Sequence, residues 1–262
     1  MAGSRLHRIE GLVLKTSFWG DRDVLVTLIT RDGSKLNAMA WGARKLTSRK
    51  MGHIEQLNHI DVTLYKGRNM ASISQVQSMN NFEILKGNLE RLSQSLYMTE
   101  LVDGFAMEDN SNPGLYDLFL NCLHVLEDSN INQMIVPFFQ LRLLCVSGHM
   151  PELLRCVECG QVRDCLRNRF CIELGGLLCD DCKPGLARVR FVKDETIGIL
   201  RLFSSSSNIS CPSINTSEDI YRELRSILDE STRFWLDKDV HSSDFMDQIR
   251  RNSREQVHLN YK

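Results

Sequence analysis

No run of eighteen apolar residues occurs in this 262-residue chain, and no basic-then-apolar leader opens it. Neither a membrane-spanning helix nor a secretory signal is therefore expected. Three enzyme signatures are also missing: the phosphate-cradling G-x-x-x-x-G-K-[ST], the metalloprotease H-E-x-x-H and the nucleophile elbow G-x-S-x-G. There is no internal repeat. Nine cysteines is an odd number, which argues against a disulfide framework and for a reducing cytosol. Net charge is almost absent too, at −1, but that near-zero sum hides an asymmetry. Residues 1–80 carry twelve Lys/Arg against six Asp/Glu, whereas residues 81–155 carry four against ten. A basic first segment followed by an acidic one implies different partners for each.

What is present is ordinary globular composition, 42% hydrophobic and 25% charged, with enough length for two or three small domains. Its most specific feature is Cys156-Val-Glu-Cys159-Gly160 followed by Cys179-Asp-Asp-Cys182, with nineteen residues between Cys159 and Cys179. A two-residue gap lets the chain turn so that both sulfurs of a pair face one ion, and two such turns complete a tetrahedron. Cys156, Cys159, Cys179 and Cys182 therefore read as a structural Zn2+ site of four thiolates, with no coordination position left for a catalytic water. Cys165 and Cys171 belong to no C-x-x-C pair and read as bystanders. Cys122 and Cys145 fall on apolar helical faces, and His149 reads as a helix-end residue.

Residues 8–77 alternate as short strands: 9–15, 23–30, 35–41, 60–65 and 70–76, with an Asp32-Gly33 hairpin signal. Five strands in this length predict a small barrel of the OB type, although pattern alone leaves an SH3-like barrel open. Between the third and fourth strands lies a basic stretch holding Arg44, Lys45, Arg49 and Lys50 beside Trp41. A flexible loop of this kind at a barrel rim suits phosphate neutralisation. Trp41 and the Phe18-Trp19 pair are potential base-stacking rings, with packing into the barrel core as each one's default. From residue 81 the period becomes helical. One stripe carries Leu85, Leu89, Leu92 and Leu96, another Leu115 to Leu126, and a third Ile131 to Cys145, where Pro137 is expected to perturb the helix. A short helix is expected over 195–203, and a longer one from about Ser217, capped by Thr216 or Ser217. The fold class is thus α+β multidomain. Its expected parts are a barrel at 1–80, a helical bundle at 81–155 plus 183–240, an inserted zinc-ribbon-like segment at 156–182 and a polar, fraying tail at 241–262.

Taken together, these residues resemble the RecO family of bacterial recombination mediators over nearly the whole chain. The resemblance is carried by Glu10-Gly-Leu-Val-Leu, Gly20-Asp-Arg-Asp and Leu28-Ile-Thr-Arg-Asp-Gly33, then by Gly42-Ala-Arg-Lys-Leu-Thr-Ser-Arg49. Most specific is Phe139 to Gly148 running on through Pro151 into Cys156 and Cys159, followed by Phe170, Gly175-Gly176 and the second cysteine pair. Trp19-Gly-Asp21 departs from the family's more usual aromatic-Gly-Glu, and the match weakens after residue 241. The resemblance implies a non-enzymatic, cytoplasmic DNA-repair factor with no small-molecule substrate. Such a factor binds single- and double-stranded DNA and anneals complementary strands. It contacts the C-terminal tail of SSB and works with RecR to load RecA. On this reading Arg44, Lys45, Arg49 and Lys50 contact phosphates, Lys35, Lys66 and Arg68 are secondary, and Arg142 faces the SSB tail. Two other readings are an RNA-binding or transcription factor built from barrel and zinc ribbon, and a nuclease using Asp180-Asp181.

Overall fold

The computed structural model describes residues 6–67, 70–108, 110–128, 133–162, 168–182, 185, 188–206 and 211–260, with side chains as far as 252. Packing divides the chain into two units, one formed by 1–128 with 241–262 and the other by 129–240.

The first unit is built on a closed barrel of β1 (Leu6–Trp19), β2 (Asp23–Thr30), β3 (Lys35–Ala40), β4 (His59–Lys66) and β5 (Ala71–Asn80), in the order β1-β2-β3-β5-β4. All neighbours run antiparallel except β3 and β5. This is the OB-type closure, so the SH3-like alternative falls away. β1 makes it possible by serving two neighbours. Its first half pairs with β4 and its second with β2, and the register slips between Val13 and Lys15, where the strand bends across the barrel. Alternate residues fill the interior: Val24, Val26 and Leu28 of β2, Ala38 and Ala40 of β3, Ile60, Val62 and Leu64 of β4. Gly33 closes the β2–β3 hairpin at φ +79°, and a Cβ there would lie 1.8 Å from the Asn112 carbonyl oxygen. Only glycine lets the following helical segment approach so closely.

Four helices accompany the barrel: α1 (Glu83–Gly87), α2 (Leu89–Phe105), α3 (Pro113–Asp128) and, from the far end of the chain, α7 (Ser242–Asn260). The side chain of Asn88 caps α2 by accepting from the Arg91 N–H at 3.1 Å. The expected leucine stripe is buried only in part. Leu85, on α1, is buried and Leu92 and Leu96 are half-buried, but Leu89 is exposed, and α2 buries Tyr97, Met98, Leu101 and Val102 together with Ser93, Ser95 and Thr99. The cause is that α2 packs against both α3 and α7 and so is covered on more than one side. Its buried hydroxyls are satisfied within the helix, Ser95 donating to the Arg91 carbonyl and Thr99 to that of Ser95. The stretch expected as a fraying polar tail is α7. Ser243 and Met246 are buried, and Glu100 of α2 accepts from the N–H groups of His241 and Ser242.

The second unit packs α4 (Ile135–Val146), α5 (Asp194–Ser205) and α6 (Glu218–Leu236) together, with a small sheet of β6 (Arg169–Cys171), β7 (Gly176–Leu178) and β8 (Val189–Phe191) in the order β7-β6-β8. The partition therefore divides the helices differently from the expected bundle. The third apolar stripe packs as α4 with α5 and α6, while α2 and α3 belong to the barrel unit. Pro137 does not perturb α4, because it lies in the first turn, where the backbone N–H has no intrahelical acceptor to lose. Phe138 meets Phe203 edge to face with ring centroids 5.4 Å apart. Ser217 caps α6, accepting from the Ile220 N–H at 3.4 Å. In the interior, Gln140 donates to Asp229 at 2.7 Å, and Arg225 pairs with the same carboxylate at 3.2 Å.

Candidate nucleic-acid interface and metal centre

The basic stretch is anchored rather than loose. Gly42 N–H donates to the Asp23 carboxylate at 2.6 Å, and Arg44 N–H to the Arg22 carbonyl at 3.0 Å, tying it to the β1–β2 hairpin. Ala43 is buried in the barrel core, and turns closed by Lys45 N–H to Gly42 and Ser48 N–H to Lys45 carry the chain onward. These bonds hold Arg44, Lys45 and Arg49 out in solvent. Lys50 differs: its Nζ donates to the Ile73 carbonyl at 2.8 Å, and burial lowers its pKa.

Lys50 and Arg49 line a groove of about 700 Å³ on the barrel, together with Arg8 and His53. Arg8 forms a two-pronged pair with Asp61 across β1 and β4. Sequence reasoning missed Arg8 and His53: the β1–β4 pairing brings Arg8 beside Asp61, 53 residues away, and a hydrogen bond to Ser78 of β5 holds His53 at the same groove. Lys35 is occupied elsewhere, paired with Asp103 at 2.9 Å and donating to that residue's carbonyl. Its charge is thus spent inside the unit. Lys66 ends β4 in solvent, and Arg68 lies outside the described residues. Core packing was the default for the aromatics, yet Trp41, Phe18 and Trp19 are all exposed. The barrel interior is already filled by smaller aliphatic side chains.

Behind the barrel's other edge lies a polar knot that the sequence did not signal. Tyr116 on α3, itself buried, donates to Glu10 Oε1 at 2.9 Å, and His59 Nε2 lies 2.9 Å from the same oxygen. Arg31 approaches the other oxygen at 3.1 Å. Partial burial works against the Glu10 charge, but the hydrogen bonds from Tyr116 and His59 and the charge of Arg31 outweigh it. Its pKa is lowered.

In the second unit the sulfurs of Cys156, Cys159, Cys179 and Cys182 all lie within 4.8 Å of one another, and those of Cys159 and Cys179 are 3.7 Å apart. A tetrahedron with metal–sulfur bonds near 2.3 Å has sulfur–sulfur edges of about 3.8 Å, so the cluster fits a metal ion held by four thiolates. Gly160, at φ +70°, turns the first knuckle so that its N–H donates to the Cys156 carbonyl at 2.8 Å. Arg169 braces the second by donating to the carbonyls of Cys179 and Cys182. Burial opposes ionisation of Cys156, but backbone N–H donors from Cys159 and Cys179 prevail and bring its thiol down to about 6. Cys171 is buried and bonds Glu173 rather than joining the cluster, and Cys165 lies outside the described residues. His149 stacks on Trp235 at 4.0 Å.

Two family profiles match the chain. "Recombination protein O N terminal" covers residues 1–82, and "Recombination protein O C terminal" covers residues 86–244. The chain belongs to the RecO family. Proteins named "DNA repair protein RecO" are similar over almost the full length. That of Desulforamulus reducens is 29% identical, covering 94% of this chain and 95% of its own, and that of Roseiflexus sp. is 32% identical, covering 95% and 88%. The Heliobacterium modesticaldum protein is 29% identical over 97% and 94%. Family membership places the chain in DNA repair and recombination. The N-terminal profile stops just after β5 and the C-terminal one starts within α1, so α2 and α3 match the C-terminal profile while belonging to the barrel unit.

A second groove lies in the second unit. Met150, Leu153, Leu154 and Leu202 line a groove of about 470 Å³ that also holds Arg201 and Ser204. Arg142 does not line it but donates to the carbonyl of Ser204, a residue that does, at 3.1 Å. No helix among the described residues is long and apolar enough to cross a membrane.

Proposed function

We propose that this protein is a recombination mediator that binds single- and double-stranded DNA and anneals complementary strands. The observation that carries the reading is the exposed cation set Arg44, Lys45 and Arg49, held outward by a loop pinned to the barrel, with Lys50 and Arg8 in the adjoining groove. Such cations position the backbone and read no bases. Two phosphate chains repel one another, and a surface that neutralises both lowers the barrier to their pairing. On this reading Lys66 and Arg68 flank the interface, and Lys35 drops out because Asp103 holds it.

The four-cysteine cluster holds zinc, which supplies folding energy to a segment too small to build its own core and takes no part in chemistry. The protein acts in the bacterial cytoplasm, near the nucleoid, as a binding factor rather than an enzyme. With RecR it helps RecA onto DNA coated by SSB. The groove lined by Arg201, with Arg142 bonded to its lining residue Ser204, receives the acidic, apolar SSB tail, whose carboxylates suit guanidinium forks and whose side chains suit the leucine-lined floor.

The test is annealing of complementary oligonucleotides coated with SSB, followed by fluorescence. Acceleration that weakens when Arg44, Lys45, Arg49 and Lys50 are all changed to Gln supports the reading, and a folded, metal-loaded protein that accelerates nothing overturns it. Preference for structured RNA over single-stranded DNA in the same titrations would favour the transcription-factor alternative.

A further inference from the structure

We infer that the barrel end formed by the β1–β2 hairpin and the start of the basic loop is a base-stacking site that grips unpaired nucleotides. This rests on the DNA-binding reading above and deepens it: cations alone give a single strand no advantage over the more densely charged duplex, whereas this end favours the single strand.

Phe18, Trp19 and Trp41 are 68%, 58% and 56% exposed, a poor use of large rings unless something covers them. The barrel interior does not take them: the buried residues of its core are aliphatic. All three lie on segments that the backbone ties together. Trp19 is the last residue of β1 and pairs with Asp23. The Asp23 carboxylate accepts from the N–H of Gly42, the neighbour of Trp41. Arg44, fixed by its N–H bond to the Arg22 carbonyl, carries its guanidinium 4.3 Å from the centre of the Phe18 ring.

The surroundings decide what covers these rings. An apolar protein partner would call for an apolar rim, but the exposed neighbours include three cations, Arg22, Arg44 and Lys45, against one carboxylate, Asp21, and one large apolar side chain, Leu46. Flat rings interleaved with fixed cations match a polyanion whose flat bases are free to leave their stack. In a duplex those base faces are already covered by their neighbours, so only an unpaired strand can use the rings.

The chain has three tryptophans, and Trp235 lies in the other unit against His149. A Trp235→Phe protein therefore reports on Trp19 and Trp41 alone. Three probes are titrated against this full-length variant: oligothymidylate, an abasic oligonucleotide of equal length and charge, and a blunt duplex. The expected result is quenching by oligothymidylate, binding of the abasic strand weaker by roughly tenfold or more, and little quenching by the duplex. Trp19→Ala with Trp41→Ala should weaken oligothymidylate by a similar factor while leaving duplex affinity nearly unchanged. Equal affinity for the abasic strand, or tight binding without quenching, overturns the stacking site and leaves the DNA-binding reading standing. Failure of all three probes to bind removes both. The abasic comparison needs no ring substitution, so it is decisive even if the double variant misfolds.

Discussion

Replacing Tyr116 by Phe probes how the helical part of the first unit is fastened to the barrel. The hydroxyl donates to Glu10 Oε1 at 2.9 Å and lies 3.0 Å from His59 Nε2, on a side chain that is almost wholly buried. A hydrogen bond to a charged acceptor contributes about 1.5–3 kcal/mol. Glu10 would still keep His59 and Arg31, and a quarter of its side chain reaches water, so the lower part of that range applies: about 1.5–2 kcal/mol lost at neutral pH. The loss should itself depend on pH. Because the folded-state pKa of Glu10 is lowered, its contribution is fully present above the unfolded value, near 4.3, and disappears as pH falls through the folded value. Urea unfolding of both proteins at pH 7 and in steps down to acid gives the measurement. The gap between wild type and Tyr116→Phe should be widest at neutral pH and narrow below about pH 4.3. A gap that stays constant across the range would mean that the hydroxyl acts by packing alone, and that the carboxylate is not what it holds.

Other expectations are simpler. Four phosphate-contacting cations predict a fall of log affinity for single strands with log salt at a slope of roughly −3, becoming shallower in the variant with all four changed to Gln. A flat salt response would remove the basic loop from the interface. Chelation, or Cys179→Ser, should release the metal proposed at the four-cysteine cluster, measurable by elemental analysis, and loosen the 129–240 unit while the barrel's strand signal in circular dichroism persists. Gly33→Ala should cost more than about 2 kcal/mol in denaturant unfolding, because the new methyl meets the Asn112 backbone and the residue is held at positive φ. Arg142→Glu with Arg201→Glu should abolish binding of an SSB tail peptide in fluorescence polarisation, and unchanged binding would vacate the groove.

How much of this was legible from residues alone depends on the range of the interaction that decides it. Strand alternation and the C-x-x-C spacing are local, set by a period of two or by the reach of one turn, and both survive into the structure almost unchanged. The leucine stripe on α2 held only in part because a periodic pattern assumes one buried face, and the residues that cover a second face come from α7, some 150 positions away. α7 itself looked like a fraying tail for the same reason: its few buried side chains, Ser243 and Met246, gain meaning only against α2. Pro137 was misjudged through helix phase, since the cost of a proline depends on which turn it occupies and the start of α4 carries no strong cap.

The candidate interface shows the same division in sharper form. Clustered cations are visible in any window of ten residues, but their availability is not. Lys35 and Lys50 carry the same charge on paper, and tertiary packing commits one to Asp103 and half-buries the other against Ile73. Arg8, unremarked in the sequence, enters the groove because β1 reaches across to β4. The tryptophans run the opposite way, for hydrophobicity argues them inward while the closed barrel has no room for them. A ring that the core has excluded and that shares its segment with exposed cations is a different object from an isolated exposed aromatic. On the inference drawn above, exposure at residues 18, 19 and 41, rather than the charge count, is what would let this surface distinguish an open strand from a duplex.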